Sequence, residues 1–212
     1  MLARMNPIPP DPAVGDAARR RVLVILGHPD AQGAPYGQAL ARAYADGARA
    51  GGHDVRELRV GELDFRLLRS RAQWQQPLPE SLQPAQDALR WCQHVVFVFP
   101  LWLGGMPALL KGFLEQVARP GFALGEPESP HALPRKLLIG RSARVVVTMG
   151  MPAFVYRWIY RAHSVKALER SILGMAGIAP IHETLIGSVE ALDDARRARW
   201  LARLRRLGER AG

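Results

Sequence analysis

The stretch "VVFVFPLWLGGMPALLKGF", residues 95–113, decides the fold. With His94 in front, its first half is too continuously apolar for a strand with one wet face, so it reads as a buried strand of a parallel sheet. Pro100 stops that strand and has no N–H to leave orphaned. Pro107 sits where a helix start tolerates a missing N–H, and "PALLKGFLEQVAR" follows as that helix. A turn that merely joined strand to helix would need a few polar residues. This one offers a flat apolar ledge, with Leu101, Trp102 and Leu103 for contact and Gly104-Gly105 to turn the chain tightly.

Two more runs match the first. "RVLVILG" (21–27) and "ARVVVTMG" (143–150) are apolar, rich in β-branched residues and ended by glycine. "HDVRELRV" (53–60) and "IAPIHETLIG" (178–187) complete a set of five strands. Between them lie helix-like segments: "QALARAYADGARAGG" (38–52), "AQDALRWCQ" (85–93) and "SVKALERSILGMAG" (164–177). Residues 63–84 read as a surface excursion, and 120–140 as a loop with room for a hairpin. "DDARRARWLARLRRLGER" (193–210) places Ala198, Leu201, Leu204 and Leu207 three apart, which predicts a closing surface helix with a solvated arginine face. Strand and helix alternate about five times, predicting a doubly wound five-stranded parallel sheet with helices on both faces. Such sheets take ligands at the carboxyl ends of their strands, where strand order reverses. Those ends are Gly27-His28, Phe99-Pro100 and Thr148–Gly150, and all three loops carry unusual sequence.

The bulk numbers set limits. At 212 residues the chain fits one domain, here 21–212, after a Pro-rich leader over 1–20 with no apolar signal core. No run reaches the roughly 18 apolar residues of a membrane span. One cysteine, Cys92, permits no intrachain disulfide and suits a reducing, cytoplasmic setting. The net charge of +10 fits an anionic ligand, an arginine-rich composition bias, or nucleic acid or lipid; no nucleic-acid motif supports the last. G-x-G-x-x-G, the phosphate-loop G-x-x-x-x-G-K-[ST], G-x-S-x-G and zinc-type ligand spacing are all missing.

Taken together, the three loops resemble the flavodoxin-like NAD(P)H:quinone oxidoreductases, the family of DT-diaphorase, the drug-activity modulators and the ancillary subunits of potassium efflux systems. The resemblance runs from about Arg21 to Glu190. It rests on "ILGHPD", Tyr36-Gly37-x-Ala39-Leu40, "FPLWLGGMPALLKGF" with a later "GFAL", and "TMG" followed by Tyr156 and His163. It implies a flavodoxin-like sheet, a bound flavin (FMN or FAD), NAD(P)H as electron donor and a quinone or similar aromatic acceptor. It also implies a homodimer. The alternative it leaves is a regulatory or binding subunit with little or no catalysis.

Residue by residue, the resemblance assigns the flavin phosphate to the loop after the first strand. No Ser or Thr lies between Gly27 and Gln38, and Pro35 stands where the family has a small hydroxyl residue. The donors left are the side chains of His28 and Gln32 and the N–H groups of Gly33, Ala34, Tyr36 and Gly37. Asp30 reads as a turn or cap residue. The flavin ring falls to Pro100, Leu101, Trp102, Leu103 and Gly104, and to Thr148, Met149 and Gly150. Met149 replaces a second family hydroxyl, and Leu103 a frequent aromatic. Tyr156 and His163 are implied as catalytic donors to negative charge that develops on the ring edge. The competing readings are a core role for Trp102, and packing or a dimer contact for "FVYRWIYRAH".

Overall fold

A computed structural model describes residues 19–30, 32–33, 35–129 and 131–212. Most of the leader therefore lies outside the described residues. Arg19 and Arg20 are already tied down, Arg19 to the Asp54 carboxylate and Arg20 to the carbonyl of Ala211.

The elements run β1 (Arg21–Leu26), α1 (Pro35–Ala50), β2 (Asp54–Arg59), α2 (Arg71–Gln75), α3 (Gln83–Trp91), β3 (His94–Pro100) and α4 (Ala108–Val117). Then come β4 (Leu124–Gly125), β5 (Arg135–Lys136), β6 (Ser142–Thr148), α5 (Ala153–Trp158), α6 (His163–Ala167), a π-helical segment (Leu168–Leu173) and α7 (Gly174–Ala176). β7 (Ile181–Ile186) and α8 (Asp194–Glu209) close the chain. Five strands form one sheet in the order β2-β1-β3-β6-β7, every pair parallel, which is the flavodoxin-like order. The small antiparallel pair β4–β5 is the hairpin for which residues 120–140 left room.

Side chains alternate across the sheet, so the buried strands feed two cores. Leu23, Ile25, Val95, Phe97, Phe99, Val145 and Val147 pack on the side of α3, α4 and the α6–α7 segment. Val22, Val24, Leu26, Val96, Val98 and Val146 pack on the side of α1 and α8. β3, in the centre, is buried along its whole apolar run, as its sequence predicts. α8 starts with the Asp193 carboxylate accepting from the Arg196 N–H at 2.7 Å, and it buries Leu204 completely.

Two segments differ from the sequence reading. "AFVYRW" forms α5 rather than loop, because Pro152 supplies an extended entry to the helix and Tyr156 buries against the core. The excursion over 63–84 contains the short α2, capped by Ser70. Arg119 pins it by donating to the Trp74 and Gln76 carbonyls at 3.1 and 2.7 Å. No helix among the described residues is long and apolar enough to cross a membrane.

The chain leaves β1 through α1 toward β2 on one side, then crosses to β3 on the other. The carboxyl ends of β1 and β3 therefore flank the reversal of strand order, where neighbouring loops diverge and leave a crevice.

Candidate active site

A cavity of about 340 Å³ occupies that crevice. Leu26, Val98, Phe99 and Pro100 form its floor, and Gly33, Tyr36 and Gly37 one wall. His28, Thr148, Glu190 and Arg197 add polar groups.

The first wall is built by a tight loop. Gly27 lets β1 end close against α4, since a Cβ there would lie 2.6 Å from a methyl of the buried Leu110 and force it to shift. His28 Nδ1 lies 3.1 Å from both the Asp30 N–H nitrogen and the Asp30 carbonyl oxygen, so the ring is held by Asp30 in either tautomer. The Asp30 carboxylate accepts from the Gln32 N–H at 2.9 Å, and the N–H groups of Gln32 and Gly33 hold its pKa below the usual value. Asp30 is thus a cap, as its place in the loop suggests. A Cβ on Gly33 would displace that carboxylate from its present position. Gln32 is exposed, and Ala34 lies outside the described residues.

α1 begins at Pro35, three residues earlier than its periodicity predicts. Tyr36 and Gly37 thereby fall in its first turn, where N–H groups have no partner within the helix. The Arg197 guanidinium lies 4.9 Å from the centre of the Tyr36 ring. The Tyr36 hydroxyl is buried with no hydrogen-bond partner among the described residues, and burial raises its pKa against the pull of Arg197.

The ledge is a turn closed on itself. Trp102 N–H donates to the Gly105 carbonyl and Gly105 N–H to the Trp102 carbonyl, both at 2.9 Å. Leu103 and Gly104 have φ of 46° and 78°, the type I′ pattern. Leu101 N–H donates to Thr148 at 2.7 Å. The N–H groups of Leu101 and Trp102 are therefore spent inside the chain. Those of Leu103 and Gly104 have no partner among the described residues. Leu103 is fully exposed, and Trp102 is 48% exposed with its ring edge-on to His28 at 5.3 Å, so Trp102 is no core aromatic.

The third loop divides its residues. Thr148 reaches the cavity, and Gly150 is exposed beside the Glu190 carboxylate. The Met149 side chain is buried in the core behind them, and its backbone is bonded to Ile186 and Val189. Tyr156 is also buried. Its hydroxyl accepts from the Val165 N–H at 3.4 Å, at the start of α6, and burial raises its pKa. His163 opens α6 and is exposed. Neither Tyr156 nor His163 lines the cavity itself; Ser164, next to His163 in α6, brings its hydroxyl toward Gly105 of the ledge turn.

Three lining residues, Val189 and Glu190 from the β7–α8 connection and Arg197 from the first turn of α8, were not brought to the site by sequence reasoning. The signal was available: the loop follows the carboxyl end of a strand, as the other three do. Arg197 was hidden in a basic run that reads as solvated. Here its Nε and Nη2 donate to the Leu192 and Val189 carbonyls at 3.0 Å, which turns it inward.

Comparison with known proteins agrees with this fold. A protein from Haemophilus influenzae named as an uncharacterised NAD(P)H oxidoreductase is 26% identical over 180 residues, covering 82% of this chain and 87% of that one. Rat NAD(P)H dehydrogenase [quinone] 1 is 30% identical over 127 residues, covering 50% of this chain and 46% of its own length. The NAD(P)H:quinone oxidoreductase structure from Methanothermobacter marburgensis superposes with a TM-score of 0.75 at 22% identity, over 91% of this chain and 96% of that one. The model of the flavodoxin-like fold family matches residues 20–207, and the chain belongs to that family.

Proposed function

We propose that the protein is a flavin-dependent NAD(P)H oxidoreductase that reduces quinones or similar aromatic acceptors by two electrons. The observation that carries this reading is the pairing of a half-exposed Trp102 ledge with a helix-start cavity at the point where strand order reverses. The residues fit a flavin: an apolar platform for a flat ring, two unpartnered N–H groups for its polar edge, and a glycine-bearing helix start for an anionic tail. The names of the relatives point the same way.

Bound flavin would take hydride from NAD(P)H and, once NAD(P)+ has left, return two electrons to an acceptor in the same place. In this reading Tyr36 and Gly37 bind the phosphate through their N–H groups, with His28 and Gln32 beside them. Trp102 and Leu103 support the ring, and the Leu103 and Gly104 N–H groups orient its edge. Pro100, Leu101, Thr148 and Gly150 shape the rest of the slot, with Met149 packed in the core behind it. His163 donates a hydrogen bond to charge that develops during transfer, and Tyr156 does so or holds the start of α6 that presents His163. Phe154, Trp158, Ile159 and Tyr160 are all more than half exposed on α5 and just after it, and we assign this aromatic patch to a homodimer contact. The lone buried cysteine supports a cytoplasmic setting.

Anaerobic stopped-flow tests the function. Flavin-loaded protein should be bleached by NAD(P)H and recoloured by a quinone, each step stoichiometric. Flavin binding without reduction by NAD(P)H would select the regulatory-subunit alternative.

A further inference from the structure

α8 sorts its charges onto two flanks. Counted from the fully buried Leu204 at about 3.6 residues per turn, Leu201 and Arg205 fall toward α1, and so do both carboxylates of the helix, Asp194 and Glu209. Glu209 there meets Arg205 at 3.7 Å. The other flank carries part-buried Trp200 and Leu207, and outside them Arg196, Arg199, Arg203 and Arg206, all exposed. These guanidiniums stand three and four residues apart, in a row about 15 Å long. Arg196 meets the cap Asp193 at 3.5 Å. Arg199, Arg203 and Arg206 have no carboxylate partner among the described residues. No carboxylate relieves the row from below either. Arg144, buried on β6, is held below its ordinary pKa by burial and by nearby Arg203. Glu183, the acid of β7, points to the other face of the sheet and pairs with Arg157. Leu192, Arg196, Arg199, Trp200 and Arg203 enclose a hollow of about 280 Å³ on this flank. Val189, Glu190 and Arg197 line the crevice, so the row begins beside the crevice mouth. Like charges in a row repel one another, and an anionic partner relieves that repulsion.

We propose that this flank of α8 docks the protein on an anionic phospholipid surface. A straight row of guanidiniums on a rigid helix meets a plane of phosphate headgroups with several charges at once. Trp200 and Leu192 sit among those guanidiniums, where an indole can settle at headgroup depth. The flank holds too few apolar side chains to insert further, so the attachment is electrostatic and reversible. A nucleic acid matches it less well, because Trp200 already packs on the core and carries the Arg203 guanidinium 5.1 Å from its ring centre. A stacked base would have to displace that cation. Docking through this flank opens the crevice beside the bilayer, within reach of an apolar acceptor dissolved in it. That consequence rests on the oxidoreductase reading above; the docking itself does not.

Co-sedimentation with phospholipid vesicles tests this without any turnover. The vesicles are phosphatidylcholine alone, or phosphatidylcholine with about a third phosphatidylglycerol, in about 0.1 M salt. Wild-type protein should bind the anionic vesicles about tenfold or more tighter than the neutral ones, and about 0.5 M salt should release it. Arg199→Gln combined with Arg203→Gln should weaken binding about thirtyfold, about fivefold for each guanidinium, at an unchanged melting temperature. Arg69→Gln combined with Arg71→Gln removes the same charge from exposed positions beside α2, on the other side of the sheet. That pair should change binding by less than about twofold, since it lies beyond the screening length from the row. Equal binding to the two kinds of vesicle, or equal losses in the two paired variants, would overturn the proposal. So would displacement by inorganic phosphate at constant ionic strength, which would make the row a site for a free anion. Protein that ignores vesicles and binds a single-stranded oligonucleotide or polyglutamate through Arg199 and Arg203 would overturn it as well.

Discussion

Leu103 carries an unusual backbone for its side chain, and it shows what a single residue does at this site. A leucine at φ 46° costs about 1 kcal/mol or more relative to glycine, and here it is fully exposed at the tip of the ledge. Leu103→Gly should therefore stabilise the flavin-free protein by about 0.5–1 kcal/mol in denaturant titrations while weakening flavin or acceptor binding. A stability loss would mean that the side chain packs. Trp102→Ala should lower flavin affinity about 5- to 30-fold, equivalent to about 1–2 kcal/mol of aromatic contact, with little change in melting temperature. A large drop in melting temperature would contradict the half-exposed position. The ledge was legible because its residue types are wrong for a plain turn. The pairing of the Trp102 N–H with Gly105 was not, because it depends on the φ values that Leu103 and Gly104 adopt. Tyr156 was legible as a position and not as an orientation: its spacing from Gly150 places it near the site, whereas burial turns its hydroxyl to Val165. Tyr156→Phe separates its two roles. Slower flavin reduction at unchanged stability marks a donor, and a lower melting temperature marks a strut for α6.

At the scale of elements, the amino end of β3 holds a second built feature. His94 is fully buried, with Nε2 2.9 Å from the Tyr44 hydroxyl on α1 and Nδ1 2.7 Å from the Ser142 hydroxyl on β6. Burial, with Arg144 nearby, depresses its pKa to about 3. An unfolded chain would protonate it near its ordinary value of about 6.5. Between those two values the unfolded state binds the extra proton, so stability should fall as pH drops from about 6.5 toward 3, by an amount on the order of a few kcal/mol. Urea titrations at several pH values check this, and His94→Asn should flatten the slope. An unchanged slope in the variant would assign acid sensitivity to other groups. The α1–α8 contact makes a sharper demand: Gly47→Ala would press a methyl onto backbone at Arg205, and overpacking of that kind typically costs about 1–3 kcal/mol. Sequence periodicity gave the buried strands and amphipathic helices to within a few residues, since burial on one or both faces writes that pattern directly. It missed α5, because Phe154, Trp158 and Ile159 are exposed apolar residues that blur a helical stripe.

For the whole molecule, five parallel strands bring loops that are far apart in sequence to one edge, and the crevice collects residues from Leu26 to Arg197. The alternation of strands and helices was enough to name that edge. It was not enough to populate it, because Glu190 and Arg197 follow β7, and Arg197 turns inward only through its bonds to the Leu192 and Val189 carbonyls. The net charge of +10 now has a local counterpart in a guanidinium at the crevice, consistent with an anionic ligand. The central claim is that this crevice holds one flavin per chain. The most direct test is a titration of flavin into flavin-stripped protein, followed by flavin fluorescence, with Trp102→Ala measured in parallel. The account predicts saturation at one flavin per chain and a weaker variant that reaches the same end point. Non-saturable binding, or identical curves for the two proteins, would contradict it.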